Sequence, residues 1–193
     1  MKSLYCALAL LTLVGCTTQQ MAQMQQQYES QNSGFSPNYS PAKIYSLAIL
    51  PPTTSAKLDN QASLSGLYDF AGMTMMQTGH FSAVERSRID AVLKEQEFGS
   101  SGIVDPGSAA RLGKVVGADA VMLINIATMK HDPFFSDNPE QREGELYVKI
   151  ISSSTAEILY YGRGDGSSFN GELEALQVGL QNATSAIKHK GGN

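Results

Sequence analysis

Leu146, Val148 and Ile150 alternate with Tyr147 and Lys149. Such a period of two predicts a strand with one buried face. Residues 157–163 follow across Ser153-Ser154-Thr155-Ala156 and read as its hairpin partner. Elsewhere the apolar positions fall into runs or into helical spacing. Residues 44–50 form a short apolar run ended by Pro51-Pro52, a buried strand. Leu64, Leu67, Tyr68, Ala71 and Met75 share one helical face, which predicts a helix over 60–77 that Gly79-His80 ends. Residues 81–85 are strand-like. Ser87 is a capping residue for a helix over 88–98, with Ile89, Val92 and Leu93 facing inward. Residues 99–107 read as a loop, and Ser108 as the cap of a short helix that stops at Gly117. Residues 118–128 are apolar and β-prone, a central strand. Residues 130–144 read as a long polar loop. Leu173, Leu176, Leu180, Ala183 and Ile187 stripe a last helix over about 170–188. The order β-α-β-α-α-β-β-β-α predicts a single α/β (α+β) domain with about five strands and helices packed on the sheet.

The N-terminus adds a compartment. Lys2 precedes an apolar run from Leu4 to Val14, too short to span a bilayer and shaped like a secretory signal peptide. Leu13-Val14-Gly15-Cys16 looks like a bacterial lipobox, so residues 1–15 are expected to be removed and Cys16 to carry fatty acyl chains such as palmitate. Residues 16–42 are rich in Gln, Ser and Asn. They read as a flexible tether with too little apolar surface to offset its ordering entropy. Its mean span is roughly 25–30 Å. A short helix over 21–28 lying on a partner is the alternative. The folded domain is expected over 43–190.

Charge and chemistry narrow the function by exclusion. The net charge is −4, and −5 once the lone Lys2 leaves with residues 1–15. With no basic run, neither nucleic acid nor anionic lipid is an expected partner. Cys6 leaves with the leader and Cys16 is taken by lipid, so no disulfide pair remains. His80, His131 and His189 are scattered without ligand spacing, and no metal or cofactor is expected. No Gly-x-Ser-x-Gly elbow occurs, and no residue is assigned a catalytic role. The run from Gly162 to Gly166 lacks the lysine of a phosphate loop and reads as a strand-to-helix connection. Phe134 and Phe135, beside Pro133, are candidates for a sticky contact, or for a loop that covers a sheet edge. Of Tyr160 and Tyr161, adjacent on a strand, one is expected in the core and one at the surface or a neighbour. Arg86, beside Glu85 at a strand-to-helix junction, is either structural or a partner contact.

Val84-Glu85-Arg86, Leu93-Lys94-Glu95-Gln96 and Leu112-Gly113-Lys114-Val115-Val116-Gly117-Ala118-Asp119 stand in one order behind the lipobox. Together they resemble the CsgG family of outer-membrane lipoproteins, over roughly residues 44–187. Thr155-Ala156-Glu157-Ile158 resembles the family's Thr-Gly-Glu-Ile turn, with alanine in place of glycine. The family's pore-forming members insert two amphipathic hairpins, each needing about twenty residues. Residues 99–107 are too short for one, and residues 130–144 carry two prolines and no alternation. The resemblance therefore implies the periplasmic domain without the pore, as in the LpoB and PelC types of lipoprotein. It implies a non-enzymatic, lipid-anchored subunit at the outer membrane, facing the periplasm. Such a subunit would form homo-oligomers and bind envelope proteins in export or surface-structure assembly. The alternative it implies is an activator of a penicillin-binding protein. The candidate partner residues are Phe134, Phe135, Tyr161 and Arg86.

Overall fold

The computed structural model describes residues 20–95, 105–131 and 141–190. Residues up to Asn32 and residues from Ser33 onward form two compact units. In the first, residues 20–32 are helical (α1). The second unit runs β1 (Ser33–Phe35), β2 (Tyr45–Ile49), β3 (Thr53–Thr54), α2 (Ala62–Gln77), β4 (Phe81–Ala83), α3 (Arg86–Glu95), α4 (Pro106–Val116), β5 (Ala120–Lys130), β6 (Arg142–Ser152), β7 (Ile158–Ser168) and α5 (Glu172–Lys190). The order expected from the sequence, β-α-β-α-α-β-β-β-α, is this one without β1 and β3.

Among the described residues, one open mixed sheet of seven strands runs β1-β7-β6-β5-β2-β4, with β3 beside β5. Pairs within β5-β6-β7-β1 are antiparallel, whereas β2 is parallel to both β4 and β5. Because side chains alternate across each strand, neighbouring residues feed two cores. Leu47, Ile49, Met122, Ile124, Val148 and Ile150 face α2 and α5. Ala48, Leu50, Val121 and Ile151 face α3 and α4. Helices thus pack on both faces, with α3 and α4 covering only part of the second.

Several boundaries differ from the sequence pattern for identifiable reasons. Ser33–Phe35 lies in the stretch read as tether, yet it pairs with β7, and Tyr39 is buried in the core. Helix α3 takes in Arg86 and Ser87 rather than starting after a Ser87 cap. Helix α4 is capped by Asp105, not Ser108: the Asp105 carboxylate accepts the Ser108 N–H at 2.9 Å, with Pro106 in the first turn. Gly117 ends that helix in the left-handed region, φ 69°. The largest departure is Gly162 to Gly166, which is not a connection but the middle of β7.

That strand explains its glycines. Gly162, Gly164 and Gly166 point at α5, where Ala175, Gly179 and Ala183 form a stripe of small residues. A Cβ at any of the three would collide with a backbone oxygen of α5. The Tyr160 hydroxyl donates to the Ala183 carbonyl at 2.6 Å on the same face. The glycines therefore let the helix approach the strand backbone, and the intervening residues are left on the outer face.

Candidate partner interface

Alternation puts Glu145, Tyr147 and Lys149 of β6 on the face away from α5, and Tyr161, Arg163 and Asp165 of β7 beside them. The register pairs Glu145 with Asp165, Tyr147 with Arg163 and Lys149 with Tyr161. Tyr161 and Asp165 are exposed, and the other four are partly so. The two tyrosine rings meet at 5.9 Å, and the Lys149 ammonium sits 5.7 Å from the Tyr161 ring centre.

Arg163 organises the charges. It donates to Glu145 through Nε and to Asp165 through Nη2 at 3.1 Å, while the Tyr147 hydroxyl donates to Glu145 at 2.8 Å. These donors, Arg163 foremost and then Tyr147, hold the Glu145 carboxyl below the usual carboxylate range. Such exposed pairs add little stability. What they fix is the arrangement: two tilted aromatic rings and a guanidinium held side by side on a sheet face, the residue types that anchor protein interfaces.

A concavity of about 610 Å³ lies where the β6–β7 turn meets the end of α4 and the start of β2, with Lys43, Lys114, Asp119 and Ser152 in its wall. Asp119 is occupied by the fold. It accepts the Ser46 N–H at 3.0 Å and pairs with Lys43 at 3.1 Å, and these two contacts, the backbone one first among lowering causes, depress its pKa. Among the described residues, no group of three or more His, Cys, Asp or Glu could hold a metal ion.

Of the expected site residues, the two that are described, Tyr161 and Arg86, do not converge. Tyr161 is exposed on the β7 face, and its neighbour Tyr160 is fully buried, the split that alternation requires. Arg86 starts α3 next to β4, and β6, β5 and β2 lie between β4 and β7. There it pairs with Asp69 at 3.1 Å and with Asp90 at 3.5 Å, and covers the Tyr68 ring at 4.4 Å. The Asp69 and Tyr68 contacts tie α3 to α2, and the Asp90 pair lies within α3. Burial pushes the Tyr68 phenol up to about 12. Cys16, Phe134 and Phe135 lie outside the described residues. The sequence reading missed Glu145, Tyr147, Lys149, Arg163 and Asp165 as a group. The first three were legible as the polar half of the β6 alternation, whereas the β7 glycines carry no apolar signal that would reveal a strand.

Residues 52–131 match the family model described as curli production assembly/transport component CsgG. Over this stretch the chain is similar to the CsgG family. The stretch runs from β3 through β5, the half of the domain that carries the Leu-Gly-Lys-x-x-Gly-Ala-Asp pattern. The β6–β7 face lies beyond the matched stretch, so its reading rests on geometry alone. Among curated proteins, none matches the chain in sequence. Among solved structures, the chain is similar to the PelC dodecamer from Paraburkholderia phytofirmans, with TM-score 0.54 and 8% identity over 81% of this chain and 94% of that one. It is also similar to lipoprotein GNA1162 from Neisseria meningitidis, with TM-score 0.52 and 15% identity over 75% of this chain and 96% of that one. Both likenesses establish a shared fold. The E. coli LpoB structure superposes less well, with TM-score 0.49 and 14% identity over 64% of this chain and 56% of that one.

Proposed function

We propose that this protein is a non-enzymatic accessory subunit of a cell-envelope machine for export or surface-structure assembly. Acyl chains on Cys16 would hold it to the periplasmic side of the outer membrane, and its domain would associate with further copies and with envelope proteins. The observation that carries this reading is the β6–β7 face. Its tyrosines and arginine are fixed in place, with Tyr161 exposed and Tyr147 and Arg163 partly so, in a domain of which residues 52–131 are similar to the CsgG family. The likeness to a fold that PelC presents as a dodecamer supports assembly with copies of itself. Among the described residues no helix is long and apolar enough to cross a membrane.

Two measurements test the reading. Cys16→Ala is expected to leave the protein unprocessed or to release it from the membrane fraction; unchanged retention of a processed chain contradicts the anchor. Purified protein added to a peptidoglycan synthase is expected to leave glycan polymerisation unchanged. A rise at saturating protein would replace the assembly role with that of a synthase activator.

A further inference from the structure

We propose that α1 is a membrane-surface helix: its Met21 and Met24 lie in the headgroup–acyl boundary of the bilayer that holds Cys16. The inference rests on the lipid-anchor reading above and adds to it a second, non-covalent contact. Met21 and Met24 are 71% and 68% exposed. They stand three apart in a helix and so on one face. The remainder of that helix is mostly Gln, and Glu29 is its only charged residue. A solvated helix with two large apolar side chains on one face leaves that face to be covered by something else.

Chain length selects the occupant. Three residues, Thr17, Thr18 and Gln19, separate Cys16 from the first described helical residue. At about 3.5 Å per residue, Gln20 stays within roughly 14 Å of Cys16 even when the connection is fully extended. Acyl chains on Cys16 place that residue at the bilayer surface, and an interfacial helix buries its apolar face only about 5–10 Å deep. Two methionines are too small a patch to recruit a free protein. Next to a covalent anchor the contact is intramolecular and is favoured by a high effective concentration. Methionine's flexible thioether suits an irregular, mobile environment. With no Lys or Arg in residues 20–32, the contact needs no anionic lipid.

The chain has no tryptophan, so one introduced indole is an unambiguous reporter. Full-length processed and acylated protein carrying Met24→Trp is reconstituted in phosphatidylcholine vesicles, with Gln26→Trp, on the opposite side of the helix, as the comparison. Flotation and fluorescence are read on the same sample. The expected result is flotation of both variants, with blue-shifted emission at position 24 that lipids brominated near the headgroup quench. The indole at position 26 is expected to emit as an exposed, unquenched group. Flotation with an exposed, unquenched position 24 overturns the helix contact and leaves the anchor standing. Blue-shifted emission without lipid quenching overturns it in favour of α1 packing against a second copy. Loss of flotation overturns the anchor and this inference together.

Discussion

Gly164 of β7 lies directly under Gly179 of α5, so close that a Cβ on Gly164 would collide with the Gly179 carbonyl oxygen. Backbone, rather than a flexible side chain, is the obstacle, so the helix itself would have to move. Gly164→Ala is expected to lower stability by about 3 kcal/mol, at the upper end of overpacking costs. Gly34→Ala on the edge strand β1 meets nothing within 4 Å and is expected to change stability by less than about 0.5 kcal/mol. Denaturant midpoints of the two variants check the contrast. Equal midpoints would contradict the close-packing account.

Ala156, in the turn between β6 and β7, has φ 61°, in the left-handed region that costs an L-residue roughly 1–2 kcal/mol. Glycine is free of that strain but loses more entropy on folding, about 0.5–1 kcal/mol. Ala156→Gly is therefore expected to stabilise the domain by up to about 1 kcal/mol, read as a rise in thermal midpoint. A fall would show that the Ala156 methyl packing outweighs the strain.

The depressed pKa of Asp119 sets a pH dependence. Its folded value lies below its unfolded one, so its contribution is fully present above the unfolded carboxyl range, near pH 4. It is lost as pH falls through the folded value. Asp119→Asn keeps an oxygen for the Ser46 N–H but removes the charge that Lys43 pairs with. Wild type is expected to be the more stable at pH 6–7, and the gap to close progressively below about pH 4. A gap that is constant across this range would mean that the titration of Asp119 is not what links this site to stability.

Whether each element was legible depended on whether its signal was carried by its own side chains. The β6 strand announces itself because Leu146, Val148 and Ile150 must be apolar to reach the core. Strand β7 hides its inner face, since close approach to α5 demands glycine where burial elsewhere demands Val or Ile. Strand β1 is three residues in a polar stretch, and its pairing is supplied by β7. The Asp105 cap was missed because Ser108, also a good capping residue, stands three positions later; the Pro106 between them marks the first turn. The interface was half visible for the same reason. Tyr161 was found by alternation, but Arg163 was the last residue of the strand read over 157–163 and Asp165 lay beyond it, in a Gly162–Gly166 run read as a connection. Arg86 has intramolecular partners, Asp69, Asp90 and Tyr68, that its place in the sequence did not reveal.

Tyr161 separates assembly from folding. Its side chain is exposed and, among the described residues, its aromatic and cationic contacts are Tyr147 and Lys149. Tyr161→Ala is expected to cost the isolated domain no more than about 0.5–1 kcal/mol, with unchanged secondary structure by circular dichroism. If the β6–β7 face is an assembly surface, the same change should weaken association far more. A large loss of stability would instead mark Tyr161 as part of the domain's own packing.

The central claim is that this domain works as an assembled subunit, and the mass of the acylated protein in mild detergent, by light scattering, tests it most directly. The account predicts a closed oligomer many times the 20.7 kDa of one whole chain, dissociated or reduced in size by Tyr161→Ala. A wild-type protein that remains a monomer at high concentration would contradict it.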